Sequence, residues 1–433
     1  MMKNLTTLAL LTFLVFQSSA QLIKTYYDQG QIKEEYNILN GDSSLVDGTY
    51  KMYDLSGNVI VTGEFDSGEK EGTFYNYYAD GSIQRQTVYI DNLREGLTQV
   101  FTPSGQVIQE STFQQDTLVG AIKLYDENGN LKGTTSFKNG KPSGPVFSYF
   151  ENGEVKEEVT YAEGKPNGIT RQYYKSGKIK LEANYSAGLL DGTYKTYYPT
   201  GKLEMEVVNQ RGDRTGSVKT YHENGQLKAL GTYEEGTLQG EYLVYYANGD
   251  TKSEYKYKDG YRTGKSLDYH ANGKIRLASS FSNSGMNAAI KEYSDKGVLI
   301  SEKELLNELP HGTWKIWNDK GDPLAVERYE KGKLHGMQEA YEKGNKFSLT
   351  EYRFGNKYGT YQEFYSNGSL KIAATNELNK LQGTYIQYYK NGQIEYSGTY
   401  VRNRRHAVWN YYDKKGNLIE EVTYKHGEKI ENN

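Results

Sequence analysis

A chain of 433 residues with only 36% hydrophobic residues and a mean hydropathy of -0.81 cannot fill the several apolar cores its length would ordinarily call for. Its 42 tyrosines and 47 glycines equally exclude a disordered chain, which would be poor in aromatic residues, and leave phenol rings as the main apolar material. With 52 basic and 55 acidic residues and no cysteine, it offers no concentrated positive charge for nucleic acid or an anionic membrane, and no disulfide or lipidated anchor.

The first twenty residues, MMKNLTTLALLTFLVFQSSA, place Lys3 before an apolar run from Leu8 to Phe16, with small residues Ser18 and Ala20 ahead of Gln21. That layout is a secretory signal peptide cleaved after Ala20, and the run is too short to span a bilayer. The mature chain is therefore expected to be secreted or periplasmic. No later segment approaches the roughly 20 apolar residues of a spanning helix. Residues 21–47 read as a partial N-terminal repeat, with unit features from about Lys24.

From residue 48 onward one period governs the chain. Gly48, Gly72, Gly96 and their successors to Gly264 follow at steps of 24, Ala288, Gly312 and Gly336 keep step, and after one lost residue Gly359, Gly383 and Ala407 complete sixteen units. Counting each unit from zero at that residue, position 5 is aromatic (Tyr53, Tyr77, Phe101, Tyr173), and position 9 is glycine after Asn, Asp, Ser or Lys (Asp80-Gly81, Asn128-Gly129). Position 11 is Val, Ile or Leu (Val59, Ile83), and position 17 is usually aromatic (Phe65, Tyr89). Asn-Gly between aromatic and β-branched runs predicts a hairpin. A three-residue loop closed by a left-handed glycine sets position 5 opposite 11, so that 5, 11 and 17 share one face. Strands are predicted near positions 1 to 6 and 10 to 18, followed by a short link such as Gly164-Lys165-Pro166-Asn167-Gly168.

Charges at positions 12 and 14, such as Lys156 and Glu158, are expected to form a solvated face. Hairpins of this kind must stack to bury a face, giving an elongated antiparallel sheet on the order of 160 Å long. Bends are expected where Asn209 replaces the usual ring, within Ser282 to Pro310, and where a residue is lost between Gly336 and Tyr358.

Paired glycines, a tyrosine pair before an Asn-Gly turn and an aromatic residue before the next glycine, as in GTYKTYYPTGKLEMEV and GEYLVYYANGDTKSEYKYKDG, resemble the MORN repeat family, and more closely its bacterial, antitoxin-like variant. The resemblance covers Lys24 to the C-terminus. It implies an elongated sheet of hairpins without catalytic apparatus, used for protein association or membrane apposition; the antitoxin label implies neutralising a cytoplasmic toxin, which the signal peptide contradicts.

Chemistry-bearing motifs are absent: there is no HExxH, GxSxG, phosphate loop or cysteine nucleophile. Asp126-Glu-Asn-Gly-Asn130 falls on a hairpin turn and lacks EF-hand spacing, and His311 and His335 lie one period apart, too far to share a zinc, so no metal or other cofactor is expected. Position 6 is often a second ring, at Tyr78, Tyr174, Tyr198, His222, Tyr246, His270, Tyr365 and Tyr389. These are the candidate binding residues if they form an exposed ladder of amphipathic rings; the competing assignment packs them over glycines or with position-2 rings such as Tyr50, Phe74 and Trp314. The leading expectation is a non-enzymatic scaffold for a protein or envelope component, with peripheral membrane or glycan contact open. An antitoxin-like neutraliser and an envelope polysaccharide-active enzyme are the alternatives.

Overall fold

A computed structural model describes residues 20–430, so the expected signal peptide lies outside the described residues except for Ala20, which opens the first strand. Every regular element from Ala20–Tyr26 to Glu428–Ile430 is a β-strand, and strands pair antiparallel with their neighbours in sequence. Among the described residues no helix is long and apolar enough to cross a membrane. The strands fall into two units divided at Lys202/Leu203, with Gln210–Gly212 belonging to the first.

Two kinds of turn alternate in the first unit, and each follows from local residue chemistry. Between Val46–Tyr53 and Val59–Asp66, the Asp54 N–H donates to the Asn58 carbonyl at 2.9 Å and the Gly57 N–H to the Asp54 carbonyl at 3.0 Å, with Gly57 at φ +86°. This is the expected three-residue loop, and it sets Tyr53 opposite Val59. Between Val59–Asp66 and Glu69–Tyr77 the chain reverses through only Ser67 (φ 52°) and Gly68 (φ 94°), a two-residue turn of the I′ kind whose twist matches the flanking strands. The expected link is therefore corrected. Lys165–Tyr173 is one strand, and Gly168, at φ +115°, makes a bulge within it where the register slips between Val159 opposite Thr170 and Tyr161 opposite Pro166.

The bulges also correct the expected faces. An extra residue between Met52 opposite Val61 and Tyr53 opposite Val59 turns position 5 away from position 17. Position 17 lies with position 2: ring centroids are 5.5 Å apart for Tyr50–Phe65 and for Phe65–Phe74. Position 5 lies with positions 3 and 14, as shown by Tyr75–Tyr77 at 6.4 Å and a 3.0 Å hydrogen bond between the Thr62 and Tyr77 hydroxyls.

Packing on the face of positions 2 and 17 depends on pairing large with small. Phe74 at position 2 lies over Gly63 at position 15 of the preceding hairpin, so closely that a Cβ on Gly63 would sit 2.4 Å from the ring. Elsewhere in this unit Ala183, fully buried, stands opposite Tyr194. The second unit repeats the device with Gly231 under Tyr242, Ala374 opposite Tyr385 and Gly398 under Trp409. Burying one such ring contributes about 1.5–3 kcal/mol per junction, so stability accrues between neighbours.

The second unit also shows how the period absorbs its irregularities. Where Ala288 replaces the unit glycine the bulge disappears: Phe281 stands opposite Ala288 and Ser282 opposite Asn287 with no slip, and the displaced residues enlarge the turn at 283–286. Where one residue is lost after Gly336, the three-residue loop becomes a two-residue turn at Lys343 (φ 49°) and Gly344 (φ 79°), leaving the strands Gly336–Glu342 and Asn345–Arg353 paired.

Candidate functional site

Position 6 usually holds one of two solutions to the three-residue turn, a short polar cap (Asp126, Thr102, Ser294, Asn318) or a ring. An aspartate there caps the turn: Asp126 Oδ1 accepts from the N–H groups of Asn128 at 2.9 Å and Asn130 at 2.8 Å, while Oδ2 accepts from the Asn130 amide at 3.0 Å. Those bonds, the Asn130 side chain first, hold its carboxyl below the usual range and account for the calcium-like spelling. A ring at position 6 instead reaches the next hairpin. The Tyr78 hydroxyl donates to the Phe101 carbonyl at 2.8 Å and Tyr174 to Tyr197 at 2.6 Å. In the second unit Tyr246 reaches Tyr269 (2.7 Å), Tyr365 reaches Tyr388 (2.7 Å) and Tyr389 reaches Tyr412 (3.0 Å). His222 and His270 place Nε2 3.0 and 2.9 Å from the carbonyls of Tyr245 and Tyr293. Tyr198 closes the same turn, its N–H donating to Lys202 at 2.9 Å. The half-buried rings of Tyr78, Tyr174, His222, Tyr246, His270, Tyr365 and Tyr389 thus bond successive hairpins at the carbonyl of position 5. Asn224, Asn272 and Asn391 at position 8 add a second bond of the same kind, to Ala247, Asp295 and Lys414.

On the face of positions 3, 5 and 14 the charges are satisfied within the sheet. Glu110 accepts from Tyr125 at 2.9 Å and Gln99 at 3.1 Å and faces Lys123 at 3.5 Å; the Tyr125 bond is the main cause holding its carboxyl below the usual range. Arg171 bridges Glu182 at 2.8 Å and Glu158 at 3.6 Å. In the second unit Lys291 lies 2.8 Å from Glu302, which that hydrogen bond chiefly lowers.

The face of positions 2, 15 and 17 is different. In the first unit a row of rings runs Tyr36, Tyr50, Phe65, Phe74, Tyr89 with centroid spacings from 6.2 to 5.2 Å. It then stops, because the next residues at positions 15 and 2 are Thr87 and Thr98, followed by Ser111, all buried. Phe113 stands on the far side, leaving a groove of about 410 Å³ with Thr87, Thr98 and Ser111 as its floor. Arg85 and Arg94 are its charged lining, and no carboxylate lines it. The Arg94 guanidinium lies 4.0 Å from the Phe113 ring centroid and donates to Asp116 at 2.9 Å; the Lys70 ammonium lies 5.1 and 5.0 Å from Phe74 and Tyr89.

The second unit has its own interruption on this face. Ser266 and Ser279 stand opposite each other, buried, with hydroxyls that make no hydrogen bond. Beside them Asp268 accepts from Ser253 and Tyr255, both at 2.6 Å, and lies 3.3 Å from Arg276. Burial, then the bond to Asp268, raises the Tyr255 phenol above its ordinary range. Near the C-terminus Trp409 is fully buried, with Tyr400 5.1 Å and Tyr385 5.9 Å away and the Arg405 guanidinium 4.5 Å from its ring. Among the described residues no three groups converge as metal ligands; His335 has only Glu330 at 3.5 Å and the Phe354 ring at 4.6 Å. The pairing of positions 2 and 15 was not used in reading the sequence, although its signal was present: a small residue followed eleven places later by a ring, as at Gly63 and Phe74.

Tandem hairpins joined by alternating three- and two-residue turns, with ring-on-small junctions and inter-hairpin tyrosine bonds, define a β-hairpin repeat protein. The chain belongs to the MORN repeat variant family, which it matches at residues 70–91, 94–115, 118–139, 142–163, 166–187, 190–208, 214–235, 238–259, 357–375, 381–402 and 405–426, more than half its length. Each match begins just after a two-residue turn, so the family unit coincides with the hairpin. The intervening residues 260–356 include the Ala288 and shortened hairpins and the Ser266–Ser279 pair. No curated protein matches the chain in sequence. Solved structures similar to it include a complex of TcdB2, TccC3 and Cdc42 (12% identity, 94% of this chain, 28% of that chain, TM-score 0.14) and the Photorhabdus luminescens Tc holotoxin pore (11%, 92%, 27%, TM-score 0.14). The chain spans less than a third of their length, and a superposition this loose carries no argument about fold or function.

Proposed function

We propose that this protein is a non-enzymatic, secreted or periplasmic scaffold that binds a protein or other envelope component along the ring-bearing face of its hairpins. Its family consists of interaction repeats, and the layout of residues 1–20 supports export. The observation that carries the reading is the contrast between faces. Carboxylates and cations on the face of positions 3, 5 and 14 bond one another, and the position-6 rings bond the next hairpin, whereas the rows at positions 2 and 17 present amphipathic rings across consecutive hairpins. Saturable binding of labelled residues 21–433 to native envelope vesicles is expected; no saturable binding overturns the scaffold reading. A reporter fused to residues 1–30 is expected outside the cytoplasm, and its retention in the cytoplasm would return the antitoxin-like alternative. Glycan hydrolysis abolished by a single carboxylate substitution would replace the scaffold with an envelope enzyme.

A further inference from the structure

The groove between Phe74–Tyr89 and Phe113 lies where the row of rings from Tyr36 to Tyr89 breaks off. At five junctions a ring at position 2 fills the space above a glycine or alanine at position 15, as Tyr242 does over Gly231 and Phe74 over Gly63. Here Thr98 stands where the ring would be and Thr87 where the small residue would be, so the sheet keeps its hairpins while leaving about 410 Å³ open, within the range of small-ligand pockets. Neither threonine hydroxyl has a protein partner, and the Arg85 guanidinium, exposed at the rim, bonds no carboxylate.

We propose that this groove binds an acidic glycan, one whose sugar rings carry carboxylates. The proposal rests on the scaffold reading and deepens it by naming the class of envelope component. Its chemistry is threefold. The aromatic walls, half-buried Tyr89 backed by Phe74 on one side and Phe113 with Arg94 against it on the other, offer ring surface to the C–H groups of a sugar. The floor offers the hydroxyls of Thr87 and Thr98, and the lining the amides of Asn76 and Gln109, donors and acceptors of the kind sugar hydroxyls pair with. The charge is one-sided: in a chain where acids outnumber bases 55 to 52, the lining has two arginines and no carboxylate, with the Lys70 ammonium beside the same wall. Asp116 draws on Arg94 but not on Arg85, which stays available for a bidentate carboxylate contact. An acidic peptide fits less well. The strands beneath the groove already pair on both sides, Ile83–Ile90 with Glu69–Tyr77 and with Gly96–Phe101, so no strand edge is offered to a peptide backbone.

Calorimetric titration of residues 21–433 with trigalacturonate tests the proposal, with maltotriose and hexaglutamate as probes of charge and of polymer class. Saturable binding of trigalacturonate alone is expected. Arg85→Ala, an exposed site, should weaken it about tenfold, the loss typical of one charge-assisted contact. Thr87→Gly combined with Thr98→Tyr, which copies the Gly231–Tyr242 junction and plugs the groove, should abolish it with circular dichroism unchanged. Trigalacturonate binding that is absent, unaffected by Arg85→Ala, or matched by hexaglutamate overturns the proposal. If wild-type protein still binds envelope vesicles while trigalacturonate does not bind, the groove assignment falls and the scaffold reading stands; if vesicle binding fails, the scaffold reading falls with it.

Discussion

Gly398→Ala is the sharpest test of the junction architecture. A Cβ on Gly398 would stand 2.3, 2.4 and 2.6 Å from three atoms of the Trp409 indole, where carbon atoms ordinarily approach to about 3.5–4.0 Å. The ring must move by more than an ångström, yet it is fully buried, with Tyr400 and Tyr385 packed around it and Arg405 beside its face. Overpacking of this kind costs about 1–3 kcal/mol, and displacing the indole also breaks the 3.3 Å bond from its Nε1–H to the Thr399 carbonyl, about 1 kcal/mol. A total near 3 kcal/mol raises local opening about a hundredfold, and in a nearest-neighbour array the effect should stay close to the junction. Hydrogen exchange in Ile394–Val401 and Arg404–Tyr412 reads that opening. The partner variant is Trp409→Tyr, because alanine and tyrosine already share a junction at Ala374 and Tyr385. In that background Gly398→Ala should cost less than about 1 kcal/mol, a coupling well beyond the additivity of independent sites. Protection within threefold of wild type in the single variant, or strict additivity in the double, would refute size complementarity as the organising rule.

Three further outcomes follow from the same geometry. Tyr246→Phe removes the bond to the Tyr269 carbonyl and should lower protection of the adjoining strand by about 1 kcal/mol, whereas an unchanged exchange rate would deny the ring its bonding role. Gly81→Ala should cost about 1 kcal/mol through its φ of +84° alone, since an added Cβ meets nothing within 4 Å, and Gly81→Asn should recover part of that in thermal melts; equal melting of both variants counts against a left-handed turn. Tyr329, Tyr341 and Tyr361 have phenols pushed up to about 12, Tyr329 and Tyr361 first by burial and then by bonds to Glu327 and Glu363, Tyr341 first by its bond to Glu339. Because these folded values lie above the ordinary 10, their stabilisation is complete below pH 10 and lost as pH rises through about 12. Phenolate absorbance should therefore show a late-titrating class that ionises as the sheet unfolds; a single ionisation near pH 10 in folded protein would contradict it.

What could be read from the sequence was whatever repeats. Gly57 after Ser56, with Tyr53 and Val59 on either side, specified the three-residue loop and its register, because only a left-handed residue closes that turn. The two-residue turn is written as plainly, in Ser67-Gly68 and Ala187-Gly188, and the unit glycine four residues on, expected to end a short link, makes a bulge within the strand instead. The face of position 17 follows from a different bulge, between Met52 opposite Val61 and Tyr53 opposite Val59, where one inserted residue turns position 5 away from it. The rings at Tyr78, Tyr174 and Tyr246 stand out as a series in the sequence, yet their bonds reach residues 23 places ahead, a distance that becomes local only after the register is known.

The groove illustrates why the functional part of a repeat array is the least visible in its period. A ladder in which each ring lies over the preceding small residue has little room for a ligand, because filling that room is how each junction is stabilised. Recognition therefore requires a junction that forgoes its ring, and the neighbours must tolerate the loss. Thr87 and Thr98 meet that requirement: β-branched and small, they keep the strand pairing while flanking rings at Tyr89 and Phe113 carry the packing on either side. In the second unit Ser266 likewise stands at position 2 without a ring, but there position 15 of the preceding hairpin is itself a ring, Tyr255, whose hydroxyl donates to Asp268. The Thr87–Thr98 junction is lined by arginines without a carboxylate and so retains an opening with a defined charge. Scanning the array for positions 2 and 15 that are both small locates such openings directly, and the plugged Thr87→Gly, Thr98→Tyr variant asks whether an opening, once closed, takes the binding with it.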